Sequence, residues 1–149
     1  MKFKYLGTAA SEGFPAVFCN CVYCKEARKR GGKNIRTRSQ AMVNNDLMLD
    51  LPADTYLHAL KENLELDKLK FLLITHHHQD HFYPEELGMH ASWFAKDLRE
   101  PNLTIVLTKD AYDFYMEKEG NVIADNIACT LNFIVAEAFK DITLGDYVI

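Results

Sequence analysis

Seven residues, Thr75-His76-His77-His78-Gln79-Asp80-His81, carry four histidines and one carboxylate directly behind the apolar run Phe71-Leu72-Leu73-Ile74. A short apolar run closed by β-branched Ile74 and Thr75 reads as a buried strand of an α/β sheet, and such sheets bind ligands just past the carboxyl ends of their strands. Alternate residues of extended backbone share a side, so His76, His78 and Asp80 point one way. A turn beginning at Asp80 would swing His81 toward a second centre nearby. Imidazole nitrogens and a carboxylate suit zinc, iron or manganese, so His-x-His-x-Asp-His reads as half of a two-metal site. His77 and Gln79, on the opposite side, read as packing or supporting residues. A helix would put His77 and His81 on one face, as in zinc proteases. The strand before them, the absence of a Glu after His77 and the position of Pro84, suited to a helix start, all argue against it. An expression tag would be terminal and would not hold Gln79-Asp80 between its histidines.

His76-x-His78-x-Asp80-His81 behind a hydrophobic strand resembles the signature of the metallo-β-lactamase superfamily of hydrolases. The stretch from Gly7 to Pro15, followed by Cys19-x-Cys21-x-x-Cys24, resembles one branch, the phosphodiesterases related to the accessory enzyme of the carbon–phosphorus lyase pathway. The resemblance implies an α/β (α+β) chain with the αββα sandwich of that superfamily, of which residues 1–149 would be the N-terminal part, truncated at the C-terminal end. It implies two catalytic zinc ions, with manganese or iron as alternatives, and one structural zinc at Cys19, Cys21 and Cys24. The resembling enzymes complete the cysteine site with a distant C-terminal histidine; the local candidates are His58, His90 and Cys129. Asp50 matches an acid that supports the metal site by orienting a ligand histidine, although a strand-end acid capping the loop before Pro52 is the plain alternative.

On that reading His76 and His78 bind one metal and Asp80 and His81 the other. Asp80 is also the catalytic residue that orients a metal-activated water toward a small phosphate ester. Other ester classes (thioester, lactone), RNA, and a non-catalytic metal-binding domain are the competing readings. There are two departures from the pattern. Pro84 stands where many relatives have glycine, and the relatives draw a third histidine, a bridging aspartate and a final histidine from a second half. A half-sandwich leaves apolar sheet surface open, which implies a fragment or a second chain, as in a homodimer, covering it.

A length of 149 residues bounds the chain to one domain with a real core, and 48% apolar with 26% charged residues excludes disorder. No apolar run approaches a membrane span, so no membrane partner and a cytoplasmic location are expected. Three cysteines within six residues suit metal in a reducing compartment better than disulfides. A net charge of −4 argues against nucleic acid as a partner. Seven basic residues between Lys25 and Arg38, against the single acid Glu26, form either a solvated basic face or an attraction for phosphate-bearing substrates.

The element pattern starts with a strand over Lys2–Leu6, a long loop, and a helix over Val22–Arg30 ended by Gly31-Gly32. A hairpin over Gln40–Val43 and Asp46–Asp50 turns at Asn44-Asn45. A helix from Asp54 or Thr55 to about Leu64 should put Tyr56, Leu57, Leu60 and Leu64 on one face, with His58 an ordinary surface or boundary residue. A helix from Pro84 to Asp97 or Leu98 would pack His90, Trp93 and Phe94, or turn one of them into the cleft. The remaining expectations are a strand over Asn102–Leu107, a helix over Asp110–Glu119 ended by Gly120, a small buried Cys129, a strand over Leu131–Val135, and a last strand in residues 141–149.

Overall fold

A computed structural model describes residues 1–90, 93–119 and 130–149. Six strands form one mixed sheet in chain order: β1 (Phe3–Gly7), β2 (Gln40–Val43), β3 (Leu47–Leu49), β4 (Phe71–Leu73), β5 (Leu103–Leu107) and β6 (Leu131–Val135). The first two pairings are antiparallel and the last three parallel. The change follows from the connections: Asn44, at φ 50°, allows a tight hairpin between β2 and β3, whereas each later strand is reached through helical segments. These are α2 (Thr55–Glu62), a 3₁₀ segment over Pro84–His90, and α3 (Lys109–Glu119). An earlier helix, α1 (Val22–Arg30), follows the cysteine loop.

The aligned register fixes which face each side chain takes. Met42, Met48, Leu72, Ile105 and Phe133 lie side by side across β2 to β6, and with Ala111 and Tyr115 of α3 they make the core. Lys4 lies on this face too and reaches Glu62 on α2 at 2.5 Å. The opposite face carries Phe3, Tyr5, Val43, Leu47, Phe71 and Val106. Here a small hairpin, β7 (Thr143–Leu144) with β8 (Tyr147–Val148), sets Tyr147 edge-on to Phe71 with ring centroids 6.0 Å apart. Phe3 and Tyr5 remain 47% and 72% exposed on it. No helix among the described residues is long and apolar enough to cross a membrane.

Several sequence expectations change. The helix expected from Pro84 to Asp97 or Leu98 is a seven-residue 3₁₀ segment ending at His90; Trp93 and Phe94 are 67% and 64% exposed and do not join the core. Residues 141–149 hold two short antiparallel strands, not one, because Gly145, at φ 56°, turns the chain back. On α2, Tyr56 and Leu60 face solvent while Thr55 and His58 are the buried positions, the inverse of the apolar periodicity. Its inward face meets Gln40, so polar side chains that pair with the amide are favoured there over leucines that would strand it. The expectations for Gly120 and Cys129 fall outside the described residues.

The edge at the carboxyl ends of β3 and β4 is built with particular rigidity. Asp50 leaves β3 at φ 63°, a left-handed conformation open to aspartate through its short polar side chain. Its N–H still donates to the Leu73 carbonyl at 2.7 Å. The segment after β4 runs out to the histidines and returns to pair Phe82 with Leu51 in parallel, with Leu51 N–H donating to the His81 carbonyl and Tyr83 N–H to the Leu51 carbonyl, each at 2.7 Å. Phe82 is fully buried against Phe114 and Tyr115. Burial of one phenylalanine contributes about 1.5–3 kcal/mol, which anchors the return segment to the core.

Candidate metal centre

The histidine loop thus lies between two fixed points, and its side chains converge on Asp50. Thr75 donates to Asp50 Oδ1 twice, from its backbone N–H at 2.9 Å and from its hydroxyl at 2.8 Å. The other carboxylate oxygen, Oδ2, stands 2.6 Å from His81 Nδ1. A carboxylate of this burial, with three donors, accepts a hydrogen bond from the imidazole N–H, so the network assigns the Nδ1–H tautomer to His81 and leaves Nε2 without a hydrogen. Thr75 Oγ1, its own hydrogen already given to Asp50, can only accept from His76 Nδ1, 3.1 Å away. His76 takes the same tautomer, and one aspartate orients two histidines, the second through a threonine. Thr75 belongs to this network although the ligand pattern does not reveal it; its signal is a hydroxyl at the strand end immediately before the first histidine.

The ring of His76 touches two others, with centroids 4.7 Å from His78 and 4.1 Å from His81. Burial, then the positive potential of His81 and His78, holds His76 below the ordinary imidazole range and favours the neutral form that binds metal. His81 Nε2 and Asp80 Oδ2 are 3.5 Å apart. That is close to the roughly 3.4 Å separating two ligands that sit about 2.1 Å from a tetrahedral zinc. His77 turns away and packs its ring 5.4 Å from Phe114, which agrees with the alternation expected of extended backbone. The donor chemistry and tautomers therefore suit a metal, although His76, His78, Asp80 and His81 meet only in pairs and, among the described residues, form no group of three or more converging donors.

A second cluster lies in the loop before α1. The sulfurs of Cys19, Cys21 and Cys24 are all within 4.8 Å of one another. Cys21 caps α1, accepting from the Cys24 N–H at 3.5 Å, and Arg28 reaches back to the carbonyls of Cys19 at 2.8 Å and Ala16 at 2.7 Å. The helix and its guanidinium together hold the three thiols in one place. The Cys24 N–H, with help from the Cys19 thiol, brings Cys21 down to about 7. Cys24 is pushed up: the Ala16 backbone contact lowers it, but burial and the neighbouring Cys19 and Cys21 outweigh that contact. Three converged thiols, one ionising near neutrality, fit three of the four ligands of a structural zinc. Of the local candidates for a fourth, His58 and His90 do not join the group; His58 is instead bonded to Gln40 and Thr37, and His90 lies 3.3 Å from Thr130 Oγ1.

The arrangement of sheet and loop matches solved structures. A diphosphatase of the PhnP family superimposes with a TM-score of 0.72 at 15% identity, over 98% of this chain and 54% of that one. A metallo-β-lactamase fold protein, YhfI from Bacillus subtilis, superimposes with a TM-score of 0.60 at 15% identity, over 98% of this chain and 49% of that one. The chain has the metallo-β-lactamase fold. Zinc-bound PqqB from Methylobacterium extorquens gives a TM-score of 0.71 at 19% identity, over 94% of this chain and 50% of that one. The chain spans about half the length of these structures, and its six-stranded sheet with the flanking helices corresponds to part of the metallo-β-lactamase domain. No protein-family model matches the sequence, and no curated protein does.

Proposed function

We propose that this chain carries one arm of the metal centre of a hydrolase, acting on phosphate esters. The observation that carries the reading is the aspartate-ordered loop: Asp50 fixes His81 directly and His76 through Thr75, leaving ligand nitrogens aimed away from the protein's own hydrogen bonds. His76 and His78 would hold one zinc, and Asp80 and His81 a second. Zinc held there would supply a Lewis acid for polarising an ester and for lowering the pKa of water. The chain's own residues then do the rest. Asp80, with an oxygen 3.5 Å from His81 Nε2, would orient the attacking water and take its proton. Asp50 keeps the imidazoles from rotating as charge develops. The three cysteines would hold a structural zinc that fixes the loop in front of α1.

The fold is compatible with several ester classes, and phosphate is favoured by the likeness to a diphosphatase of the PhnP family and by the basic run between Lys25 and Arg38. The test is turnover of a generic phosphodiester, a thioester and a lactone by zinc-loaded protein, alongside His76→Ala and Asp80→Ala. Zinc-dependent phosphodiester hydrolysis lost in both variants, with their circular dichroism unchanged, is the expected result. Turnover that survives Asp80→Ala, or no zinc at the histidines, overturns this site; zinc bound there without turnover of any ester favours the non-catalytic metal-binding domain.

A further inference from the structure

Behind Asp50 lies a buried polar group that no ligand pattern calls for. Gln40, Thr55 and His58 are 2%, 3% and 2% exposed, and every polar atom in the set is paired. The Gln40 amide nitrogen donates to the Asp50 carbonyl at 3.0 Å and to Thr55 Oγ1 at 2.9 Å, and also lies 3.0 Å from Met48 Sδ. Thr55 passes its own hydrogen to the Pro52 carbonyl at 2.6 Å. With acceptors on the nitrogen side, the Gln40 oxygen must face His58, and it lies 2.5 Å from His58 Nδ1. His58 is therefore the Nδ1–H tautomer, and its Nε2 accepts from Thr37 Oγ1 at 2.6 Å.

We propose that Gln40 and His58 are positioning residues for the histidine loop, a buried relay that fixes Asp50 and, through it, the imidazole of His81. The inference rests on reading that loop as a metal site. An amide can present either end; the acceptors Asp50 O and Thr55 Oγ1 on one side and the His58 Nδ1 donor on the other together hold the Gln40 nitrogen toward Asp50. The carbonyl so gripped belongs to the residue in the left-handed conformation, whose carboxylate takes Thr75 and His81. Both ends of Asp50 are thereby tied, the main chain to β2 and α2 and the side chain to the loop after β4. This explains why α2 turns a histidine and a threonine inward while exposing Leu60 and Tyr56.

The experiment reads the metal-free protein first. The His81 Nδ1 proton, held by Asp50, is expected as a slowly exchanging imidazole signal in 1H–15N spectra. His58→Leu should erase that signal and weaken zinc at the histidines roughly tenfold, the size of effect usual for residues behind a ligand, with zinc at the cysteines unchanged. His58→Asn, whose amide donor stands near the position of Nδ1, should restore both. Gln40→Glu still accepts from His58 but cannot donate to Asp50; it should give the same loss, and serves if His58→Leu does not fold. A His81 signal that persists in a folded His58→Leu or Gln40→Glu protein overturns the relay. Because that signal needs no metal, its loss in a chain whose wild type takes no zinc at the histidines upholds the relay and overturns only the metal reading.

Discussion

Asp50 Oδ2 and His81 Nδ1 are 2.6 Å apart although 31 residues separate them in sequence. The contact exists because β3 and β4 are adjacent and parallel, so the residue just past the end of one faces the loop leaving the other. It is the link between the fold and the proposed chemistry. Asp50→Ala should leave three donors without their acceptor in a nearly buried site and cost about 1–3 kcal/mol. It should also weaken zinc at the histidines by roughly 10–100-fold. Denaturant unfolding and chelator competition measure the two effects separately, and unchanged zinc affinity in a folded variant would refute the orienting role.

Thr75→Val keeps the β-branched shape at the strand end and removes only the hydroxyl. It should cost about 1 kcal/mol, the usual net worth of a hydrogen bond, and free His76 to change tautomer while leaving His81 in place. The 15N shifts of the two imidazoles distinguish these outcomes: His76 should move and His81 should not.

Stability should depend on pH through His58. Burial is the main cause holding its imidazole below the ordinary range; Asp54 opposes and Lys61 adds to the effect. With the folded pKa depressed, the unfolded chain binds the extra proton more readily. The contribution is therefore complete above the unfolded value of about 6.5 and is lost progressively as pH falls below it. His90, also held down by burial, acts in the same direction. Unfolding midpoints of the metal-free protein should fall between about pH 7 and pH 5, and less steeply in His58→Asn. An identical slope in that variant would remove His58 from the account.

Cys21 is exposed, and the Cys24 N–H and the Cys19 thiol hold it to about 7, so it should be the fastest of the three thiols to alkylate at neutral pH. Zinc should protect Cys19, Cys21 and Cys24 together. Peptide mapping after brief iodoacetamide treatment reads both effects, and protection of one or two thiols alone would contradict a shared site.

The strand before the histidines, the hairpin at Asn44 and helix α1 are legible in the sequence because each is set by local signals: an apolar run, residues that tolerate positive φ, and a cap with paired glycines. The reading of His77 as a packing residue rests on alternation along extended backbone, which is also local, and its ring does lie against Phe114. What cannot be read is what depends on a distant partner. Nothing near His58 announces burial, because the amide that satisfies it lies 18 residues away, on strand β2. Thr75 looks like an ordinary strand residue until Asp50 is brought beneath it. The short 3₁₀ segment after Pro84 resembles the start of a longer helix, and the sequence carries no strong stop before Trp93.

The central claim is that His76, His78, Asp80 and His81 take up metal in the geometry that Asp50 imposes. The most direct measurement is a zinc titration of protein whose three clustered cysteines are changed to serine, followed through the side-chain 15N signals of the histidines. The account expects the Nε2 signals of His76 and His81 to shift on zinc binding while their Nδ1 protons remain in place, with the response abolished in Asp80→Ala and weakened in Asp50→Ala. Histidine signals that do not respond to zinc, or that respond equally in Asp80→Ala, would contradict it.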